Sequence, residues 1–208
     1  MVQAVGAAWM MTQLTHSATL IALVQASNTL PVMLFALLSG ALADIFDRRR
    51  LMLIALTIMA VMSVLLAVLT YLGQIEPWSL LLFTFSIGLG QAIYNPPWQA
   101  SMGDLVSRED LPSAVTLNSV GFNLMRSVGP AIGGLIVAAF GSAAAFAVNA
   151  ASYGPLIFAM FIPFYAISLI ISDPSALIVQ VFTYFPLTAP VTAMLRNALG
   201  TLDPLTAG

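Results

Sequence analysis

Arg126 lies inside a long apolar run, and at the 100° per residue of an α-helix it shares a band of about 80° with Ser119, Asn123, Pro130 and Gly133. A charge at mid-span costs on the order of 2.5–3.5 kcal/mol on insertion scales, so such an arginine faces a cavity, a gate or a partner. The competing reading is plain anchoring: Arg126 snorkels to the membrane surface or pairs with Asp44 or Asp104. Amides form a second set of cavity candidates, with Gln91 and Asn95 on one helical face and Asn28 beside Gln25 on another. Amides in membrane spans more often join helices than bind a solute. The third set is a charged turn between two apolar runs, residues 40–50, with Gly40, Asp44, Asp47, Arg48, Arg49 and Arg50. No chemistry of bond-breaking is supported. The chain has no Cys, and its single His, His16, sits in a polar break; no Ser/His/Asp set, carboxylate pair or phosphate-binding glycine loop is present. No enzyme, metal or cofactor is expected.

These residues are carried by a chain that is 60% hydrophobic and 7% charged, with a mean hydropathy of +1.00. That composition implies an all-α polytopic membrane protein and excludes a soluble core. All six cations are Arg, scattered outside the turn, so no basic patch exists for nucleic acid. Three of them lie in the 40–50 turn, which must be aqueous.

Counting from that turn sets the topology. Residues 2–14 are apolar but fall short of the ~20 needed to span, so they read as a truncated first helix and the chain as a fragment. Residues 18–43 form one span kinked at Pro31, and residues 51–73 a second. The link 73–77 carries Glu76 and no Arg, with Tyr71 and Trp78 as interfacial anchors, so the positive-inside rule puts residues 40–50 in the cytoplasm. Residues 79–100 return inward, and Pro96 and Pro97 are expected to kink or end that helix. A second cytoplasmic loop covers 103–116, the next span 117–140, and a tight turn follows at Gly141 and Ser142. The block 143–171, interrupted by Gly154, Pro155 and Pro163, is too long for one span and too short for two. In 176–200, Pro186 and Pro190 point to a re-entrant or interfacial helical segment.

The charged turn resembles the loop between the second and third helices of the major facilitator superfamily. Gly40, Asp44, Arg48 and Arg49 match that pattern; Ile45 stands where the family often has Arg, and Asp47 where it often has Gly. The resemblance implies a gating role, Asp44 pairing with an Arg or a helix N-terminus of an opposite domain, with Gly40 permitting close helix approach. The bland alternative is a topogenic stop charge. Gly129, Pro130, Gly133 and Gly134 resemble the fifth-helix motif of antiporter-type members, with Met125 in place of a glycine; close helix packing explains the same spacing. The fourth-helix arginine tied to proton coupling in drug exporters has no counterpart near Gly88, Gly90 and Gln91.

Residues 1–155 thus resemble the N-terminal half of a major facilitator permease, of the bacterial branch that includes siderophore exporters. Residues 156–208 resemble the late membrane part of ABC-2 type export permeases. The two frames disagree on the side of the membrane for Asp173, which implies either an extra crossing hidden in the last apolar block or, the favoured reading, a junction of unrelated pieces. The expectation is about five to six spans plus the truncated helix in a bacterial inner membrane. The expected function is transmembrane transport by a fragment of a small-molecule exporter. Its partners would be the bilayer, a small-molecule substrate, and a second transporter half or second copy. Alternatives are a membrane subunit of an ABC exporter and a non-transporting scaffold.

Overall fold

The computed structural model describes the backbone of residues 1–105 and 111–172 and the side chains of 1–101 and 111–158. Five helices account for nearly all of it: α1 Val2–Leu14, α2 Ala18–Ile45, α3 Arg48–Tyr71, α4 Pro77–Leu105 and α5 Leu111–Ser172. The C-terminal segment 173–208, including the expected re-entrant piece, lies outside the described residues.

The helix boundaries follow local chemistry. Asp47 begins α3 by accepting a 2.8 Å bond at Oδ1 from the Arg50 amide, satisfying one of the orphan N–H groups of the first turn. At its far end, Gly73 takes φ +68° and the Gln74 amide bonds back to the Leu69 carbonyl at 2.9 Å, a left-handed C-cap. Pro77 opens α4 where no N–H is needed, and Ser79 Oγ accepts from the Glu76 amide at 2.9 Å.

α2 continues as helix through Pro31, which deprives the Ser27 carbonyl of its usual donor. α4 covers that spot with glycine. A Cβ placed on Gly88 would lie 2.9 Å from the Asn28 carbonyl oxygen, 3.1 Å from that of Ser27 and 3.2 Å from the Pro31 ring, so the two backbones meet there.

Four sequence expectations are corrected. Pro96 and Pro97 do not terminate α4, which runs on to Leu105; membrane helices tolerate freed carbonyls, here those of Ala92 and Ile93. The loop expected at 103–116 is shorter, because α4 reaches Leu105 and α5 starts at Leu111; Pro112 falls in the first turn, where its missing N–H costs nothing. Gly154 and Pro155 do not interrupt α5. The span count is lower: among the described residues three helices are long and apolar enough to cross a membrane, Ala18–Ile45, Arg48–Tyr71 and Leu111–Phe158. α1 is too short, α4 is diluted by Gln91, Asn95 and its glycines and prolines, and the apolar parts of α5 count as one segment.

That one segment is two limbs. Gly141 has φ +81° and ψ +173°, outside any helix. In α1, Met1 packs on Gly129, Val2 and Val5 on Gly133, and Gly6 on Ala145 and Phe146. A straight helix from 129 to 146 would measure about 25 Å, whereas Met1 to Gly6 covers about 8 Å. α5 therefore folds back at Gly141, and α1 packs across both limbs, 111–140 and 142–172. α2 packs on α4, and α3 on α4 and α5. Phe146, Met11, Leu56, Leu66, Leu80 and Ile87 fill the centre.

Candidate functional site

The charged turn joins α2 to α3 and is tied to α4. Arg48 Nη1 donates to the Ala100 carbonyl at 3.3 Å, so the turn is fastened to the C-terminal part of α4, with which it shares a cleft. That cleft, about 500 Å³, is lined by Asp44, Asp47, Arg48, Arg49, Met52 and Ser101. An acid at the C-terminal end of a helix opposes the helix dipole; here Asp44 lines the same cleft as Arg48 and Arg49. Asp44 is exposed at the rim. Asp47, where the family pattern has glycine, serves as the α3 N-cap.

Gly40 does not mediate a close approach within the described residues, since a Cβ built on it would find nothing within 4 Å. The reason is visible along α2. Met33, Leu34, Leu37, Leu38 and Ile45 are all exposed, Leu37 to 87%, so the C-terminal half of that helix has an apolar face that no described residue covers.

The first limb of α5 shows the same openness. Its residues from 115 to 128 are exposed on every side. Down it runs a ladder of hydrogen bonds from Ser119 Oγ to the Val115 carbonyl at 2.8 Å, from Asn123 Nδ2 to the Ser119 carbonyl at 2.8 Å, and from Ser127 Oγ to the Asn123 carbonyl at 3.0 Å. These residues and Thr116 line a furrow of about 560 Å³. The glycine motif divides by role. Gly129 and Gly133 admit α1, with Val2 Cα 3.1 Å from the Cβ position of Gly133, whereas Gly134 meets nothing.

Arg126 and Pro130 open onto a larger groove of about 620 Å³ between α1, α2 and α5, shared with Trp9, Thr12, Ile21 and Gln25. Asp44 lines a different cleft, so no Arg126–Asp44 pair forms. The other amides do not converge here. Gln91 and Asn95 are exposed on α4, and Asn28 is half-buried toward α4, its Nδ2 donating to the Val24 carbonyl at 3.4 Å. Sequence reasoning missed Trp9 and Thr12 because α1 reads as a stub; the signal was there, since Val5, Ala8, Trp9 and Thr12 recur at helical spacing. It also missed a buried contact between Asn149 and Ser63, two residues with nothing local to link them.

Residues 1–165 match the family model described as transmembrane secretion effector. The chain belongs to this family of major facilitator transporters. It is 30% identical over 150 residues to the staphyloferrin A transporter of Staphylococcus aureus, covering 72% of this chain and 38% of that one. It is 28% identical over 141 residues to the uncharacterized MFS-type transporter YfiS of Bacillus subtilis, covering 68% and 33%. It is 30% identical over 139 residues to the multidrug efflux pump Tap of Mycolicibacterium fortuitum, covering 64% and 34%. The chain thus spans between a third and two fifths of the length of these relatives. No solved structure matches it significantly. The protein is an integral membrane protein, and the resemblance of residues 156–208 to ABC-2 permeases gains no support from these matches.

Proposed function

We propose that this chain forms the N-terminal helical half of a secondary transporter that exports small molecules from a bacterial cytoplasm across the inner membrane. It works by alternating access against a second half that covers the open faces of α2 and α5. The observation that carries the reading is the Arg126 groove beside those faces. A charged residue at mid-limb is costly against lipid, so the groove belongs at a water-accessible centre rather than at the bilayer. Export as the direction is favoured by the relative named an efflux pump. The α2–α3 turn and the α4–α5 connection face the cytoplasm, Asp44 acting beside the first as one half of a latch whose other half is a helix terminus or arginine of the second domain.

The test is flux. Proteoliposomes carrying this chain together with the separately expressed C-terminal half of the staphyloferrin A transporter are expected to move a substrate panel without ATP, faster than either half alone. A second copy of this chain can be tried in place of that half. Correctly inserted protein that never exceeds empty vesicles in either combination would mark it as a scaffold.

A further inference from the structure

Arg126 lies about 22 Å along its limb from both Leu111 and Gly141, far from either end of it. Among the described residues no acidic side chain lies at that depth. The sequence has no Asp or Glu in residues 1–43, 48–75, 77–103 or 111–172. Among the described side chains the acids are Asp44, Asp47 and Glu76, each at a helix end. Neither the Arg126 guanidinium nor the Gln25 side-chain amide has a hydrogen-bond partner among the described residues, and both open into the same groove. Trp9, 54% exposed, forms an aromatic wall of that groove. The furrow of Thr116, Ser119, Asn123 and Ser127 leads along the same limb from its cytoplasmic end toward Arg126.

A planar, permanently charged fork beside an amide and an indole suits one kind of guest. We propose that the groove binds the carboxylate of a small anionic solute. Arg126 would grip both oxygens, Gln25 would donate a further N–H, and Trp9 would cover the apolar part of the molecule. The proposal rests on the transporter reading for its biological sense and deepens it by naming a substrate class. A lipid phosphate offers related oxyanion chemistry. The carboxylate is favoured because the polar furrow gives a water-borne solute a route, and Arg126 lies too deep for a headgroup held at the interface.

Equilibrium binding tests this without requiring flux. The full chain with Trp78→Phe and Trp98→Phe, leaving Trp9 as the only indole, is placed in phosphatidylcholine nanodiscs and titrated with succinate or with neutral succinamide. Succinate is expected to change Trp9 fluorescence saturably, and succinamide to do so at least roughly tenfold more weakly. Arg126→Gln should weaken succinate binding by a similar factor, while Arg126→Lys retains most of it, with the helical circular dichroism of both unchanged. Gln25→Leu should weaken it less. Equal responses to succinate and succinamide, or an Arg126→Gln protein that binds succinate like the parent, would overturn the proposal. So would a Trp9 signal that follows added phosphatidylglycerol and ignores succinate. Succinate binding by a chain that never supports flux would leave the carboxylate site standing and remove the transporter reading; flux with no carboxylate preference would do the reverse.

Discussion

Asn149 Nδ2 donates to Ser63 Oγ at 3.0 Å and lies 3.5 Å from the Tyr153 hydroxyl, joining α3 to the second limb of α5 deep in the bundle. Ser63 is fully buried and Tyr153 nearly so. Because lipid tails are as apolar as leucine, contacts of this kind, with close packing, replace the hydrophobic drive that holds soluble helices together.

Breaking that contact should loosen the hairpin. Asn149→Leu or Ser63→Ala is expected to lower stability by about 0.6–1.7 kcal/mol, the range found for polar contacts between membrane helices. Unfolding in detergent, run as a double-mutant cycle, reads the coupling; additive effects would show that the pair contributes nothing jointly.

Three glycines should answer differently to the same added methyl. Gly88→Ala drives a Cβ against the backbone carbonyls of Asn28 and Ser27, which cannot step aside, and should cost about 1–3 kcal/mol. Gly90→Ala meets the Met59 side chain, a flexible thioether that can move, and should cost less. Gly134→Ala finds open space and should be neutral or slightly stabilising. Thermal denaturation of the three variants in one detergent gives the order.

Removal of the α3 cap is expected to act locally. Asp47→Ala deletes the acceptor for the Arg50 amide and should cost about 0.5–2 kcal/mol, whereas Asp47→Ser or Asp47→Asn should cost little. Asp47→Gly, the residue the family pattern favours, should lie between. Amide exchange at Arg50 reports it directly.

The absence of Cys makes topology straightforward to read. In right-side-out vesicles, Gln74→Cys should react with a membrane-impermeant maleimide, and Phe46→Cys should react only after the vesicles are opened. Both positions are exposed. Labelling of Phe46→Cys from outside would invert the orientation derived from the arginines at 48–50.

Gly141 is the pivot of α5. Gly141→Val places a β-branched side chain at φ +81°, a region such residues avoid, and should cost at least about 1–2 kcal/mol while opening the hairpin. Loss of cross-linking between cysteines at Val5 and Gly133 would report the opening.

The sequence by itself determined the membrane character, the first helix at Val2–Leu14, the start of α2 at Ala18, a turn within residues 40–50 and the reversals at Gly73 and Gly141. Each rests on local chemistry: the length of an apolar run, a cluster of charge, a glycine able to take positive φ. Its errors were local too. Pro96, Pro97 and Pro155 signal breaks by the rules for water, where freed carbonyls are exchanged for solvent and helices end, whereas the bundle keeps them helical. What only the tertiary structure decided is which face meets which: Gly88 against Ser27 and Asn28, Ser63 against Asn149, Trp9 and Gln25 around Arg126, and Gly40 against nothing within the described residues. In a soluble protein the apolar stripe of a helix announces its packing face. Within a bilayer the stripe toward lipid and the stripe toward a neighbouring helix are made of the same residues, so pairing is set by shape and by a few polar atoms that no one-dimensional pattern displays.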